Sequence, residues 1–278
     1  MPELPEVECL TRSVRQILEG QILEEATFFR RNLRGDIPVE QFQRDLLGEK
    51  VKRVYRRSKY MLIEVDDSLG IFHLGMSGQI ILQADEKPVF NHTHAVFRVR
   101  RDDQEKPLYL HYIDPRRFGW ITCCKQTELA EHPFFKDLGP EPLEHDDLVE
   151  YLWQKSRNKS VAIKNFVMNA KVLVGVGNIY ASEALFRAGI RPERPAHRVR
   201  KREFELLVPA IRETLTEAIA AGGTTFRDFR QADGQPGYFA ISLNVYGRSG
   251  EACVRCGGLI QSTRLGGRAS FFCRRCQS

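Results

Sequence analysis

Four of the seven cysteines form two C-x-x-C pairs, Cys253 with Cys256 and Cys273 with Cys276, with sixteen residues between the pairs. Two such knuckles suit one tetrahedral Zn²⁺ bound by four thiolates. With every position taken by protein, no place remains for a water, so the ion is expected to be structural. Arg264 and Arg268 lie between the knuckles, where a β-hairpin would present them outward. A ribbon this small folds poorly without its metal. A second pattern is the glycine-rich VGVGN at 174–178, leading into a helix at Asn178. The free N–H groups of a helix start bind phosphate, and Asn178 also suits the N-cap. Residues 191–202 carry Arg191, Arg194, Arg198, Arg200, Lys201 and Arg202 against Glu193 alone. Residues 248–278 carry Arg248, Arg255, Arg264, Arg268, Arg274 and Arg275 against Glu251 alone. A solvated surface would account for either run; two in one half of a chain of net charge +6 point to a polyanion.

The elements that must position these groups fall into an α+β, multidomain pattern. Val7, Leu10, Val14, Ile17 and Leu18 recur at helical spacing between Pro5 and Gly20, a C-terminal stop. Segments 50–65, 70–83, 93–101 and 108–113 are short, rich in Val, Ile, Tyr and Phe, and read as an antiparallel sandwich or barrel. Three prolines and a glycine at 131–145 mark a linker. Helical patterning follows at 147–157, 160–170, 178–188 and 203–221, with Pro209 expected to kink the last helix or delay its start. The expected divisions are a sandwich at 1–130, the linker at 131–145, a helical domain at 146–225, a loop at 226–243 and the cysteine ribbon, a zinc finger, at 244–278. Cys9, Cys123 and Cys124 show no pairing pattern, which argues against a disulfide framework. No apolar run is long enough to span a bilayer, and the acidic start is no secretion signal. The expectation is therefore a cytoplasmic protein with no membrane partner, active at the nucleoid.

The opening PELPEVE resembles that of formamidopyrimidine-DNA glycosylases. RRSKY at 56–60, HLGMSG at 73–78, DPRRFG at 114–119, LGPEPL at 138–143, VGVGNIYASEALF at 174–186, GGTT at 222–225 and DGQPGYF at 233–239 are similar to that family in the same order, as is the terminal ribbon. The resemblance covers essentially the whole chain. It implies an N-terminal β-sandwich with a leading helix, a helix–two-turns–helix domain, a loop that caps the lesion, and a zinc ribbon with one structural Zn²⁺ per chain. It also implies a monomer acting on damaged double-stranded DNA, excising oxidised purines such as 8-oxoguanine and formamidopyrimidines, then nicking the strand by β,δ-elimination.

By the same resemblance, Pro2, Glu3, Lys59 and Arg268 belong to the catalytic site. Met76, His92, Arg116, Arg117, Phe118, Lys164 and Asn178 contact DNA. The chemistry suits the residue types. Once Met1 is removed, Pro2 offers a secondary α-amine, and α-amines titrate near pH ~8, leaving a useful unprotonated fraction at neutrality. Attack on the sugar C1′ gives an iminium ion whose electron demand acidifies the 2′ proton, so one nucleophile explains base loss and strand cleavage. Glu3 could protonate the ring oxygen, and Glu6 is similar to a second family acid; both also suit the first turn of a helix. Lys59, in a strand-like segment, and Arg117, His92 and Arg268 are phosphate ligands, with His73 a weaker candidate. Met76, Arg116 and Phe118 match the family's trio that fills the void left by an extruded base. Lys164 is expected to face the damaged-base pocket. Three full charges, Lys59, Arg117 and Arg268, set a log K against log[salt] slope of at least about −2.7.

Two alternatives stand beside this reading. An endonuclease VIII-type glycosylase shares the scaffold and prefers oxidised pyrimidines; Leu4 and the GQPGYF segment favour the purine branch. A non-catalytic damaged-DNA-binding protein would keep the fold without Pro2, Glu3 and Lys59 all present.

Overall fold

The computed structural model describes residues 2–84, 90–101, 106–223 and 243–278. They fall into two compact units, the described residues of 2–136 with 221–223, and residues 137–220 with 243–278. The division at 136/137 falls inside the expected linker. The loop expected at 226–243 lies, but for residue 243, outside the described residues, as does DGQPGYF.

The first unit opens with α1 (Leu4–Leu18), whose Leu4, Val7, Leu10, Val14 and Leu18 are buried. Gly20, at φ 84°, takes the left-handed turn that ends it. Beyond it lie two four-stranded antiparallel sheets. One is ordered β1 (Ile22–Phe28), β6 (Thr93–Arg100), β7 (Leu108–Ile113) and β5 (Gln79–Gln83). The other is ordered β2 (Arg53–Arg57), β3 (Tyr60–Glu64), β4 (Ser68–His73) and β8 (Trp120–Lys125). Inward residues of both sheets share one core: Phe72 meets Phe97 edge to face at 5.6 Å, and Phe42 lies 5.4 Å from Phe97. Phe42 belongs to α2 (Val39–Leu46), which the sequence reading left out. Only Val39, Phe42 and Leu46 mark its buried stripe, and Pro38 precedes it.

The 50–65 segment is a hairpin, β2 and β3, turning at Ser58 and Lys59 with Ser58 at φ 56°. Lys59 therefore sits at a hairpin tip rather than within a strand. The 70–83 segment is likewise two strands, and they belong to different sheets. Gly75, at φ 61°, bends the chain from one to the other. The return crossing, from β7 to β8, is the loop 114–119.

The second unit holds α3 (Leu148–Ser156), α4 (Ile163–Val167), α5 (Asn178–Arg187) and α6 (Lys201–Ala220), then the hairpin β9 (Ile260–Leu265) and β10 (Arg268–Cys273). α6 runs through Pro209 as one helix. Pro209 is on its exposed face, where water can satisfy the carbonyl left without a donor. The ribbon does not stand apart from the helices: Phe186 of α5 shares a core with Val245, Cys253, Ile260 and Cys273. No helix among the described residues is long and apolar enough to cross a membrane.

Candidate active site and nucleic-acid interface

The N-terminal site is built on the start of α1. Glu3 caps the helix, and the Glu6 carboxylate accepts the Glu3 N–H at 2.8 Å, half of a capping box. Pro2 is buried, and Glu3 and Glu6 are 2% and 1% exposed. Leu4 and Val7, on the core side of the same turn, fix the position of the chain end. Gly223, within GGTT, packs on Glu6; a Cβ there would lie 3.3 Å from Glu6 Cγ. Thr224 and Thr225 of that motif lie outside the described residues.

Lys59 is tied to the same helix through a buried ion pair. Arg56, with its side chain 4% exposed, donates to Glu8 of α1 at 2.9 Å and to the Ser58 carbonyl at 2.9 Å. Burial raises the Glu8 pKa, but hydrogen bonds from Arg12 and Arg56 outweigh it and hold the carboxyl below its usual range. Glu8 thus stays charged and keeps the hairpin tip registered against α1. His73, across from Tyr60 in the ladder, has a pKa depressed to about 4 by burial, then by Lys59 and Arg34. Its Nδ1 accepts the Gly75 N–H at 3.1 Å, so the neutral ring carries its proton on Nε2.

Met76, Arg116 and Phe118 are brought together by the two crossing loops. A Cβ on Gly75 would come within 2.4 Å of the Phe118 carbonyl carbon, and one on Gly119 within 2.6 Å of the His73 carbonyl oxygen, so both glycines allow the backbones to touch. Asp114, fully buried, holds the pair of loops. Its carboxylate accepts Ser77 Oγ at 2.7 Å, Gly119 N at 2.8 Å and Arg116 N at 3.3 Å. Its carbonyl accepts Arg117 N at 3.2 Å and is 2.8 Å from His94 Nε2. On this frame Met76 is 38% and Phe118 40% exposed, and the Arg116 guanidinium lies 4.7 Å from the Phe118 ring centroid. Arg117, at φ 54°, and His92, at φ 66°, are also exposed, and the His92 carbonyl accepts Asp114 N at 3.1 Å. Two exposed apolar side chains thus stand beside exposed arginines on loops whose backbones are tied together through Asp114.

In the second unit, Gly177 rather than Asn178 is the N-cap of α5; Asn178 is its first helical residue. The Asn178 amide donates to the Tyr246 hydroxyl at 3.3 Å. Tyr246 is set by Glu183, 3% exposed, whose carboxylate accepts Asn244 N and Nδ2, Val245 N and Tyr246 N at 2.8–3.0 Å. Four donors fill the capacity of a carboxylate. Lys164, expected to face a base pocket, is instead fully buried. Its amine donates to the Ala269 carbonyl at 2.9 Å and to Ser270 Oγ at 2.7 Å, next to Arg268. Arg268 itself is exposed, where β10 leaves the Gly266–Gly267 turn. Helical spacing placed Lys164 on α4, but nothing local could show that β10 packs over it. Asp114, Glu183, Tyr246 and Arg56 were missed for the same reason: their partners are distant in sequence, although Asp114, Glu183 and Arg56 stand inside quoted motifs.

The four cysteines at the end of the ribbon have sulfurs all within 4.8 Å of one another, with Cys253–Cys276 at 3.9 Å and Cys256–Cys273 at 3.5 Å. A tetrahedral Zn²⁺ with ~2.3 Å bonds sets S···S separations near about 3.8 Å, so the set fits one structural zinc. Arg255, between Cys253 and Cys256, donates to the carbonyls of Phe186 and Arg187 at 3.2 Å each, capping the end of α5. The metal knuckle and the helix carrying Asn178 are thereby one construction.

This is the build of a nucleic-acid enzyme: a sandwich with a buried chain start, a helical DNA-binding module and a zinc ribbon. Residues 1–121 match the model of the formamidopyrimidine-DNA glycosylase N-terminal domain, 138–230 that of its H2TH domain, and 250–278 the zinc finger found in FPG and IleRS. The chain is 47% identical over 278 residues to formamidopyrimidine-DNA glycosylase of Proteus mirabilis, covering all of this chain and 98% of that one. Among solved structures it is similar to a Lactococcus lactis Fpg variant in complex with Fapy-dG DNA (TM-score 0.89, 32% identity, 100% of both chains). It is also similar to the Lactococcus lactis protein bound to DNA containing an abasic site (TM-score 0.88, 34% identity, 99% of both chains). The chain belongs to the formamidopyrimidine-DNA glycosylase family.

Proposed function

We propose that this protein excises oxidised purines from duplex DNA and cleaves the resulting site, with the Pro2 amine as nucleophile. The observation that carries the reading is the chain start: Pro2 and Glu3 are held buried on α1, and the Glu8–Arg56–Ser58 link fixes Lys59 to the same helix. In the encoded chain the Pro2 nitrogen is an amide; removing Met1 frees its electron pair. That pair attacks C1′ of the damaged nucleotide, the base departs with the glycosidic electrons, and the proton that the Pro2 nitrogen gives up offsets the one the departing base takes. Glu3 protonates the ring oxygen as the sugar opens and the iminium forms. Loss of a 2′ proton then expels the 3′ phosphate, and a second elimination expels the 5′ phosphate.

Lys59, His92, Arg117, Asn178 and Arg268 hold phosphates, while Met76, Arg116 and Phe118 fill the space of the extruded nucleotide. The zinc serves as a structural ion that sets Arg268 and caps α5. The protein acts as a monomer, and nucleoid DNA of the cytoplasm is the intended substrate. Comparing excision from 8-oxoguanine·C and thymine glycol·A duplexes tests the lesion class. Faster release of 8-oxoguanine supports the reading; faster release of thymine glycol overturns the purine assignment.

A further inference from the structure

Residues 29–37, between β1 and α2, form a basic arch that the chemistry above leaves unused. Phe29 is 49% exposed, and Arg30, Arg31 and Arg34 are exposed beside it. The arch is not a loose turn. Leu33 N donates to the Gly35 carbonyl at 2.9 Å and Ile37 N to the Arg31 carbonyl at 2.8 Å, and Asn32 bridges Asp36. One foot rests on the start of β6 and the other on the loop 114–119. Phe29 N donates to the His94 carbonyl at 2.9 Å, two residues from His92, and Arg34 N to the Gly119 carbonyl at 3.4 Å. Gly35 lies under the Trp120 ring, where a Cβ would come within 2.1 Å.

The three arginines differ in how they are compensated. Arg31 pairs with Glu40. Arg34 makes no ion pair among the described residues, although Asp36 is two residues away. Its charge is felt at His73, where it adds to burial and to Lys59 in depressing the ring, and at Tyr60, where it opposes the rise caused by burial. Arg34 thus acts on His73 in the same sense as Lys59 does, and its backbone is fixed to the loop that carries Arg116, Arg117 and Phe118. An uncompensated guanidinium on a rigid backbone costs self-repulsion with those cations unless an anion is meant to sit there.

We propose that Arg34 is a further phosphate-binding residue, contacting the phosphodiester backbone of the duplex beside the lesion. The inference rests on the DNA-repair reading. It is tested by equilibrium binding to a duplex carrying a tetrahydrofuran abasic analogue, titrated across salt, with wild type, Arg34→Gln, Arg34→Lys and Lys52→Gln. Lys52 is the control, exposed on the same unit and paired with Asp66 at 2.9 Å. One lost phosphate contact flattens the log K against log[salt] slope by about 0.9. That change is expected for Arg34→Gln, with the slope kept by Arg34→Lys and Lys52→Gln. Wild-type binding with an Arg34→Gln slope equal to it overturns the contact alone. Failure of the wild type to bind the duplex overturns the repair reading.

Discussion

Replacing Asp114 with alanine removes the one carboxylate that holds both crossing loops, and its cost follows from the hydrogen bonds lost. Asp114 is fully buried and accepts Ser77 Oγ at 2.7 Å and Gly119 N at 2.8 Å. Each buried donor left without an acceptor costs about 1–3 kcal/mol, so the alanine variant should lose about 2–6 kcal/mol. Asp114→Asn keeps one oxygen for Gly119 N–H and can turn its amide toward Ser77 Oγ, which is able to accept. Its loss is then about 1–2 kcal/mol, chiefly from weaker, uncharged bonds. Urea unfolding monitored on the N-terminal unit measures both. The functional signature is a split between two substrates. On the proposed function, excision from 8-oxoguanine·C needs the base extruded and the gap filled by Met76, Arg116 and Phe118, and a preformed abasic site needs less of either. Asp114→Asn should therefore slow excision more than abasic-site cleavage. An alanine variant within about 1 kcal/mol of wild type, or equal losses on both substrates, would refute the role given to Asp114.

Three further outcomes follow from the geometry. Chelation should release one Zn²⁺ per chain and weaken DNA binding, because the Arg255 cap on α5 and the placement of Arg268 depend on the knuckles; a metal-free protein with unaltered affinity would contradict this. Lys164→Met leaves the Ala269 carbonyl without its buried donor and should behave like Arg268→Ala, with a salt slope flatter by about 0.9 and lesion preference intact. A changed lesion preference at full affinity would return Lys164 to the base pocket. His73 sets a pH dependence: its folded pKa of about 4 lies below the ordinary 6.5, so the unfolded chain protonates first as pH falls. Stability should rise with pH through that window, by at most about 3 kcal/mol, and His73→Asn should remove that part of the slope in urea titrations.

What the sequence discloses is what is local. The zinc set is legible because ligand spacing is itself the signal, and α1 is legible because its apolar residues repeat on one face. Met76, Arg116 and Phe118 could be named from motifs, but not what brings them together: the Gly75–Gly119 contact joins loops that are far apart in the chain. Lys59 reads as a strand residue because its neighbours alternate; only the Arg57–Tyr60 pairing shows the hairpin tip. Lys164 fails for a different reason. A lysine on a short helix is ordinarily solvated, and a fully buried one depends on acceptors supplied by β10.

The central claim is that a backbone amine performs the chemistry, and borohydride reduction tests it most directly. Protein with Met1 removed, incubated with an 8-oxoguanine duplex and borohydride, should yield a covalent protein–DNA adduct whose peptide map places the sugar on Pro2. Protein retaining Met1, or carrying an N-terminal tag, should yield none and cut nothing. Equal trapping by the tagged and processed forms, or an adduct on a lysine such as Lys59, would place the nucleophile elsewhere.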